Sequence, residues 1–200
     1  MRVNEKAVSK NYRKYDGRIM FPSSHDIVDI PEIKEACHTV LGKLLAADNR
    51  VLITSKPDPK IVREICEEFG EYKSHIQFRF SITSNNPQLL SFWEPSAPTF
   101  SKRIESLRYS FENDFDTSIS IEPYLDYDLC PLIEAVSPFS TGSIWIGKMN
   151  YIPRINVPLR FEHEYEKIRR NYTAEHIREI VNKHGNNPKI RFKDTMKMKQ

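Results

Sequence analysis

Apolar and polar positions change their spacing along this chain, and each change predicts an element. Ile76, Phe78, Phe80 and Ile82 alternate with Gln77, Arg79, Ser81 and Thr83. A period of two marks a strand with one buried face. Apolar runs of strand length also occur at 18–22, 51–55, 117–122 and 143–147. Between them the spacing becomes helical. After Pro31, Ile33, Ala36, Cys37, Val40, Leu41, Leu44 and Leu45 recur on one helix face, with proline where a first helical turn accepts it. Asp58-Pro59 reads as an N-cap and first helical residue, Ile61, Ile65, Cys66 and Phe69 as the inner stripe, and Gly70 as the stop. Ile104, Leu107, Arg108 and Phe111 predict a helix led by Ser101. A short helix is expected over 129–137 and a long one over 162–184, broken near Tyr172-Thr173 and ended by Gly185 and Pro188. Lys189–Lys193 predicts a last extended piece. Pro95 and Pro98 punctuate a loop, and residues 1–17 read as a lead-in to one domain over 18–200.

Strands alternating with helices imply parallel pairing through right-handed crossovers. In a parallel α/β barrel the C-terminal strand ends face one site. Here each strand ends in polar residues: Ser23-Ser24-His25-Asp26, Thr54-Ser55-Lys56, Ser81 to Ser84, Glu122-Pro123, and Lys148 to Asn150. Serial polar ends suggest one shared pocket. The chain has 200 residues, short of the ~250 of a full barrel, so a partial (β/α) barrel of about five parallel strands with outer helices is expected.

Charge narrows the function little. Thirty basic residues face 27 acidic ones, spread through the chain, for a net +3. The basic tail (Lys189, Arg191, Lys193, Lys197, Lys199) offers contacts to nucleic-acid phosphates, although a solvated terminus is the commoner outcome. No apolar stretch is long enough for a transmembrane helix. The N-terminus lacks the apolar core of a secretory signal, so a cytoplasmic location is expected. Cys37, Cys66 and Cys130 are odd in number and far apart, which suits buried thiols better than disulfides. Six scattered glycines form neither a GxGxxG nor a Walker loop, which argues against Rossmann and P-loop nucleotide binding. His38, His75, His163, His176 and His184 show no metal-ligand spacing, and no metal ligand set is assigned.

One segment is more specific than the rest. Trp93-Glu94-Pro95-Ser96-Ala97-Pro98, followed by Arg103-Ile104-Glu105-Ser106-Leu107, resembles the EP-x-A-P…R-(I/L)-x-x-L stretch of the radical S-adenosylmethionine (SAM) superfamily, in its spore photoproduct lyase-like branch. Ser24-His25-Asp26, Thr54-Ser55-Lys56, Arg79 with Ser81 to Ser84, Ile119 to Pro123, Trp145 to Asn150 and Arg191 to Asp194 match further strand ends of that pattern, from about residue 18 onward. The resemblance implies a radical-SAM-type barrel that cleaves SAM reductively to a 5′-deoxyadenosyl radical. It also implies a [4Fe–4S] cluster held by a CxxxCxxC loop after a first strand. This chain has neither that loop nor that strand. The expectation is therefore a truncated or split product, with the cluster loop on a separate polypeptide. The alternative is a degenerate, non-catalytic binding module without a cluster.

The resemblance places SAM contacts at Ser24, Asp26, Lys56, Ser81, Thr83, Arg103, Glu122 and Asn150. Ser81 and Thr83 are two apart on a strand and share a face, so both hydroxyls can meet ribose or methionine polar atoms; ending a strand is their plainer role. The fork of Arg103 suits a ligand carboxylate or a salt bridge to Glu94. Glu122 suits the SAM amino group or ribose, or pairs with Lys56 or Lys148. His25 and Asp26 are adjacent and face opposite ways on an extended chain, which makes them poor co-ligands. Lys148 and Asn150 share a face and line either the substrate side or solvent. Trp93 and Tyr124 offer rings for base stacking or for rim packing.

Overall fold

The computed structural model describes residues 2–153 and 155–197. Six strands, β1 (Arg18–Phe21), β2 (Arg50–Ser55), β3 (Ile76–Ser81), β4 (Asp116–Ile121), β5 (Ile144–Ile146) and β6 (Ile190–Phe192), form one parallel sheet in chain order. The sixth strand falls where the sequence predicts only an extended piece. Chain order and sheet order coincide, so the winding never reverses as it does in a doubly wound sheet. The crossover helices then gather on one face.

Burial confirms this. Val51, Ile53, Ile76, Phe78, Phe80, Ile119, Ile121, Ile144, Ile146 and Ile190 all point into a single core. The opposing residues come from α2 (Pro31–Ala46), α3 (Pro59–Glu68), α5 (Phe100–Glu112), α6 (Cys130–Val136) and α8 (Ala174–His184). On β3 the alternation of buried and half-buried residues follows the sequence period. Phe78 stacks on Phe80 at 5.2 Å between ring centres and meets Phe115 edge-on at 5.5 Å.

Helix ends follow local chemistry. The Asp58 carboxylate accepts from Lys60 N, with Pro59 next in line. Thr173 caps α8 and so breaks the long C-terminal helix into α7 (Glu162–Asn171) and α8. The loop that Pro95 and Pro98 punctuate is preceded by a short helix that the sequence reading does not predict, α4 (Pro87–Trp93). Asn86 Oδ1 accepts from Gln88 N and Leu89 N, and Pro87 fits the first turn.

The lead-in is not loose. It carries α1 (Glu5–Ser9) and is tied to the sheet by buried Asn49, which donates to the Arg13 carbonyl and accepts from Tyr15 N. Among the described residues strand β1 pairs with β2 alone, leaving one edge open. Beside that edge, between α1, β1 and α2, lies an apolar cavity of about 660 Å³. A second, small apolar cluster of Leu90, Leu125 and Ile168 sits over the C-terminal end of the sheet. Among the described residues no helix is long and apolar enough to cross a membrane. Lys199, the last cation of the tail, lies outside the described residues.

Candidate functional site

Parallel strands put all six C-terminal ends on one side of the molecule. The segments that follow them decide which polar groups stay accessible. Lys56 N donates to Asp26 Oδ1 at 2.8 Å, so the loops after β1 and β2 are joined at this rim. Asp26 and Lys56 then line a cavity of about 470 Å³ whose far wall is Trp93 to Pro98. Three segments distant in sequence thus share one hollow. Among the described residues the Lys56 ammonium has no carboxylate within ion-pair distance, and Trp93 packs its ring against Phe92 and Tyr165.

Arg103 stands behind this wall and not in the cavity. Its side chain is fully buried. Nε donates to the Pro98 carbonyl at 2.7 Å, Nη1 to the Ser81 carbonyl at 3.1 Å and Nη2 to Glu94 Oε2 at 2.6 Å. Of the two roles the sequence leaves open, the structure displays the pair with Glu94. Arg103 braces the Trp93–Pro98 loop against the end of β3.

Between β3 and β4 the rim is roofed. Tyr124 OH donates to the Asn171 carbonyl at 2.6 Å, Asn171 Nδ2 to the Leu125 carbonyl at 2.8 Å, and Tyr172 OH to the Tyr124 carbonyl at 2.7 Å. These bonds hold α7 down over the strand ends. Tyr124 is therefore rim packing, sealed from any base. Thr83 is fully buried beneath the roof, and its Oγ1 has no hydrogen-bond partner among the described residues. Ser81 stays half-buried at the end of β3.

The remaining predicted residues separate. Ser24 lines the apolar cavity at the β1 edge, away from Lys56. Asn150 is exposed on the loop after β5. Glu122 pairs with Lys193 at 3.3 Å, where the sequence suggests Lys56 or Lys148. It also lies so close to Gly147 that a Cβ there would meet Glu122 Oε1 at 2.6 Å. A side chain at that position would push the Glu122 carboxylate aside from β5. Asp26 and Lys56 are thus brought together, with Arg103 and Ser81 adjoining them through the braced loop, while Ser24 and Asn150 stand apart.

Asp126 is a site residue that the sequence alone gives no reason to select. It sits in the roof, with Oδ1 accepting from Ser84 Oγ at 2.9 Å and Oδ2 buried without a partner among the described residues. Burial raises its pKa above the usual carboxylate range, against the lowering effect of the bonds from Ser84 and the Asn85 backbone. A carboxyl with a higher pKa folded than unfolded favours the native state fully below the unfolded value. That contribution is lost as pH rises through the folded one. Asp126→Asn is therefore expected to be more stable than wild type at neutral pH, with the gain vanishing in mild acid. Urea denaturation at the two pH values measures this. A variant weaker than wild type at neutral pH would show that the hydrogen bonds outweigh the burial.

The cysteines are not placed to hold a cluster. Cys37 and Cys66 are buried on α2 and α3 in the helix layer, and burial pushes the Cys66 thiol up to about 12. Cys130 opens α6. Among the described residues no three His, Cys, Asp or Glu side chains are grouped to bind a metal ion. The chain's own side chains do not fit an iron–sulfur cluster, which needs cysteine thiolates at one point. The rim cavity fits an organic ligand better, since it offers both charge signs and an aromatic wall.

No family model matches the chain, and no curated protein matches it. Among solved structures, the crystal structure of Streptococcus suis SuiB bound to S-adenosylmethionine is similar at a TM-score of 0.50 and 12% identity. The match covers 78% of this chain and 34% of that one, so this chain spans about a third of the solved protein's length. The likeness shows the fold: an open, partial (β/α) barrel of the kind the sequence resemblance predicts.

Proposed function

We propose that this chain is part of a radical-SAM-type barrel of the spore photoproduct lyase-like kind, and that it takes S-adenosylmethionine at its C-terminal rim. The observation that carries this reading is the rim cavity where Asp26, Lys56 and the Trp93–Pro98 loop meet. Lys56 offers an unpaired ammonium to the carboxylate of the methionine end. Asp26, oriented by the Lys56 N–H, offers its second oxygen to the amino group. Trp93 supplies an apolar face for the adenine. When a cluster is bound, it supplies the electron for reductive cleavage; the residues here bind, orient and shield the ligand.

In this reading the cluster cysteines come from a separate polypeptide. The open edge of β1 suits its arrival, because unpaired strand backbone accepts another strand. Met20 stands half exposed there and the apolar cavity lies alongside. A second reading, a binding module with no radical chemistry, is favoured by the cysteine positions alone.

Calorimetry with SAM and the purified chain tests the site. Weak saturable binding is expected, reduced roughly tenfold by Lys56→Ala through loss of one charge-assisted contact. Asp26→Asn is expected to act in the same direction. If wild type does not bind SAM, the reading fails. If it binds and neither change weakens it, the rim cavity is not the site. Mixing with a polypeptide carrying a CxxxCxxC loop and a reconstituted cluster, in the presence of a chemical reductant, separates enzyme from module: only the enzyme forms 5′-deoxyadenosine.

A further inference from the structure

The face of the sheet opposite the helices is unusually basic. Pairing in register puts Arg18 of β1, Arg50 of β2, Arg79 of β3 and Arg191 of β6 on that face. They share it with Met20, Leu52, Thr54, Gln77, Ser118, Ser120 and Trp145. Asp116 is the carboxylate on this face among the described strand positions, and it accepts from Thr141 Oγ1.

Arg79 occupies the middle of the face. Nε donates to Ser118 Oγ at 3.2 Å, and Ser118 in turn donates to the Phe78 carbonyl. The guanidinium carbon lies 5.4 Å from the centre of the Trp145 ring. A serine and an indole therefore fix the plane of the fork. Its two terminal nitrogens have no protein acceptor among the described residues, and no carboxylate lies within ion-pair distance. Arg103 shows what a structural arginine looks like in the same fold, with all three nitrogens committed. Arg79 is held by one hydrogen bond and the Trp145 ring, with its terminal nitrogens left unsatisfied among the described residues.

Two further cations approach it. Arg18 reaches across β2 to donate to Gln77 Oε1, two residues before Arg79 on the same face. Lys193 Nζ lies 5.4 Å from the centre of the same Trp145 ring, on the side toward the rim, where Glu122 partly neutralises it. Burial, and then the charge of Arg18, hold the Arg79 pKa below its ordinary value. The protein thus keeps like charges together at a half-buried place, an arrangement that an incoming anion relieves.

We propose that this face, centred on Arg79, binds the phosphate group of a small phosphate monoester. A fixed planar fork matches the spacing of two phosphate oxygens. A second guanidinium beside it favours a dianion over a monocarboxylate. This site lies on the inner strand face and uses none of the side chains assigned to the rim cavity. It stands whether or not SAM binds above.

The test uses the whole chain with inorganic phosphate as probe. Acetate serves as the monocarboxylate control, and sodium chloride at matched ionic strength as the control for screening. Phosphate is expected to give saturable heat in calorimetry and to raise the thermal midpoint, with chloride and acetate doing neither. Arg79→Gln removes a half-buried unpaired cation, so the variant should fold with an unchanged or higher midpoint. Its phosphate affinity should fall roughly tenfold or more, the worth of a charge-assisted bidentate contact. Arg79→Lys keeps the charge but loses the fork, and should bind between the two. Arg18→Gln should weaken phosphate binding less than Arg79→Gln does. Phosphate that acts no differently from chloride, or that binds Arg79→Gln as tightly as wild type, overturns the proposal.

Discussion

Arg103→Ala is expected to cost about 3–5 kcal/mol of folding stability, the range for removing one partner of a buried ion pair. The substitution strands the Glu94 carboxylate, whose side chain is only 10% exposed, without its cation. It also leaves the carbonyls of Pro98 and Ser81 short of a donor. Arg103→Lys should recover part of the loss, because one ammonium cannot serve three acceptors that point from different directions. Urea denaturation at neutral pH measures both. A loss under about 1 kcal/mol would mean that Glu94 rehydrates freely and that the loop is not braced by this residue. Because Glu94 and Pro98 wall the rim cavity, Arg103→Ala should also loosen SAM binding, with no direct contact between Arg103 and the ligand. The double change Arg103→Met with Glu94→Gln should cost less than Arg103→Ala alone, since no charge is then left buried.

Phe78→Ala is expected to be of similar size, about 3–5 kcal/mol, by the loss of a buried aromatic ring and the cavity it leaves. Phe78 lies on β3, is fully buried, and contacts the rings of Phe80 and Phe115. Its neighbours are fixed by strand pairing on both sides, so collapse into the hole is limited. Phe78→Leu retains most of the volume and should cost markedly less. The discriminating measurement is the thermal midpoint of the two variants together. Equal shifts would mean that the ring stacking, and not the filled volume, is what β3 depends on.

The contrast between these two residues shows where the chain is readable. Phe78 sits in an alternating run whose period alone assigns its face, and the structure places it there. The break between α7 and α8 was legible for a comparable reason, since Thr173 is a local capping residue. Helix α4 is not legible in the sequence although Asn86-Pro87 is a start signal, because the seven residues Pro87–Trp93 are too few to display a period. The site was harder. Strand ends locate the rim, and the alternatives offered for Arg103 included the one displayed. The roof could not be read, since it depends on contacts such as Tyr124 to Asn171 across 47 positions. No spacing rule reaches that far. Glu122 met Lys193 for the same reason: β6 lies next to β5 in the sheet, which brings a distant lysine nearer than the two proposed from sequence.

Coincidence of chain order and sheet order also bears on how the molecule is made. Each strand pairs with the one synthesised just before it, so no strand has to wait for a later one to supply its neighbour. Each loop closure spans a single crossover unit, although every parallel pairing still carries the entropic cost of closing that crossover. A nascent chain can then dock its βα units one after another as they leave the ribosome, N-terminal units first. At every stage the newest strand is the exposed edge of a growing sheet. Synthesis that pauses between β3 and β4 would leave β3 as that edge, with its β4 partner still to come.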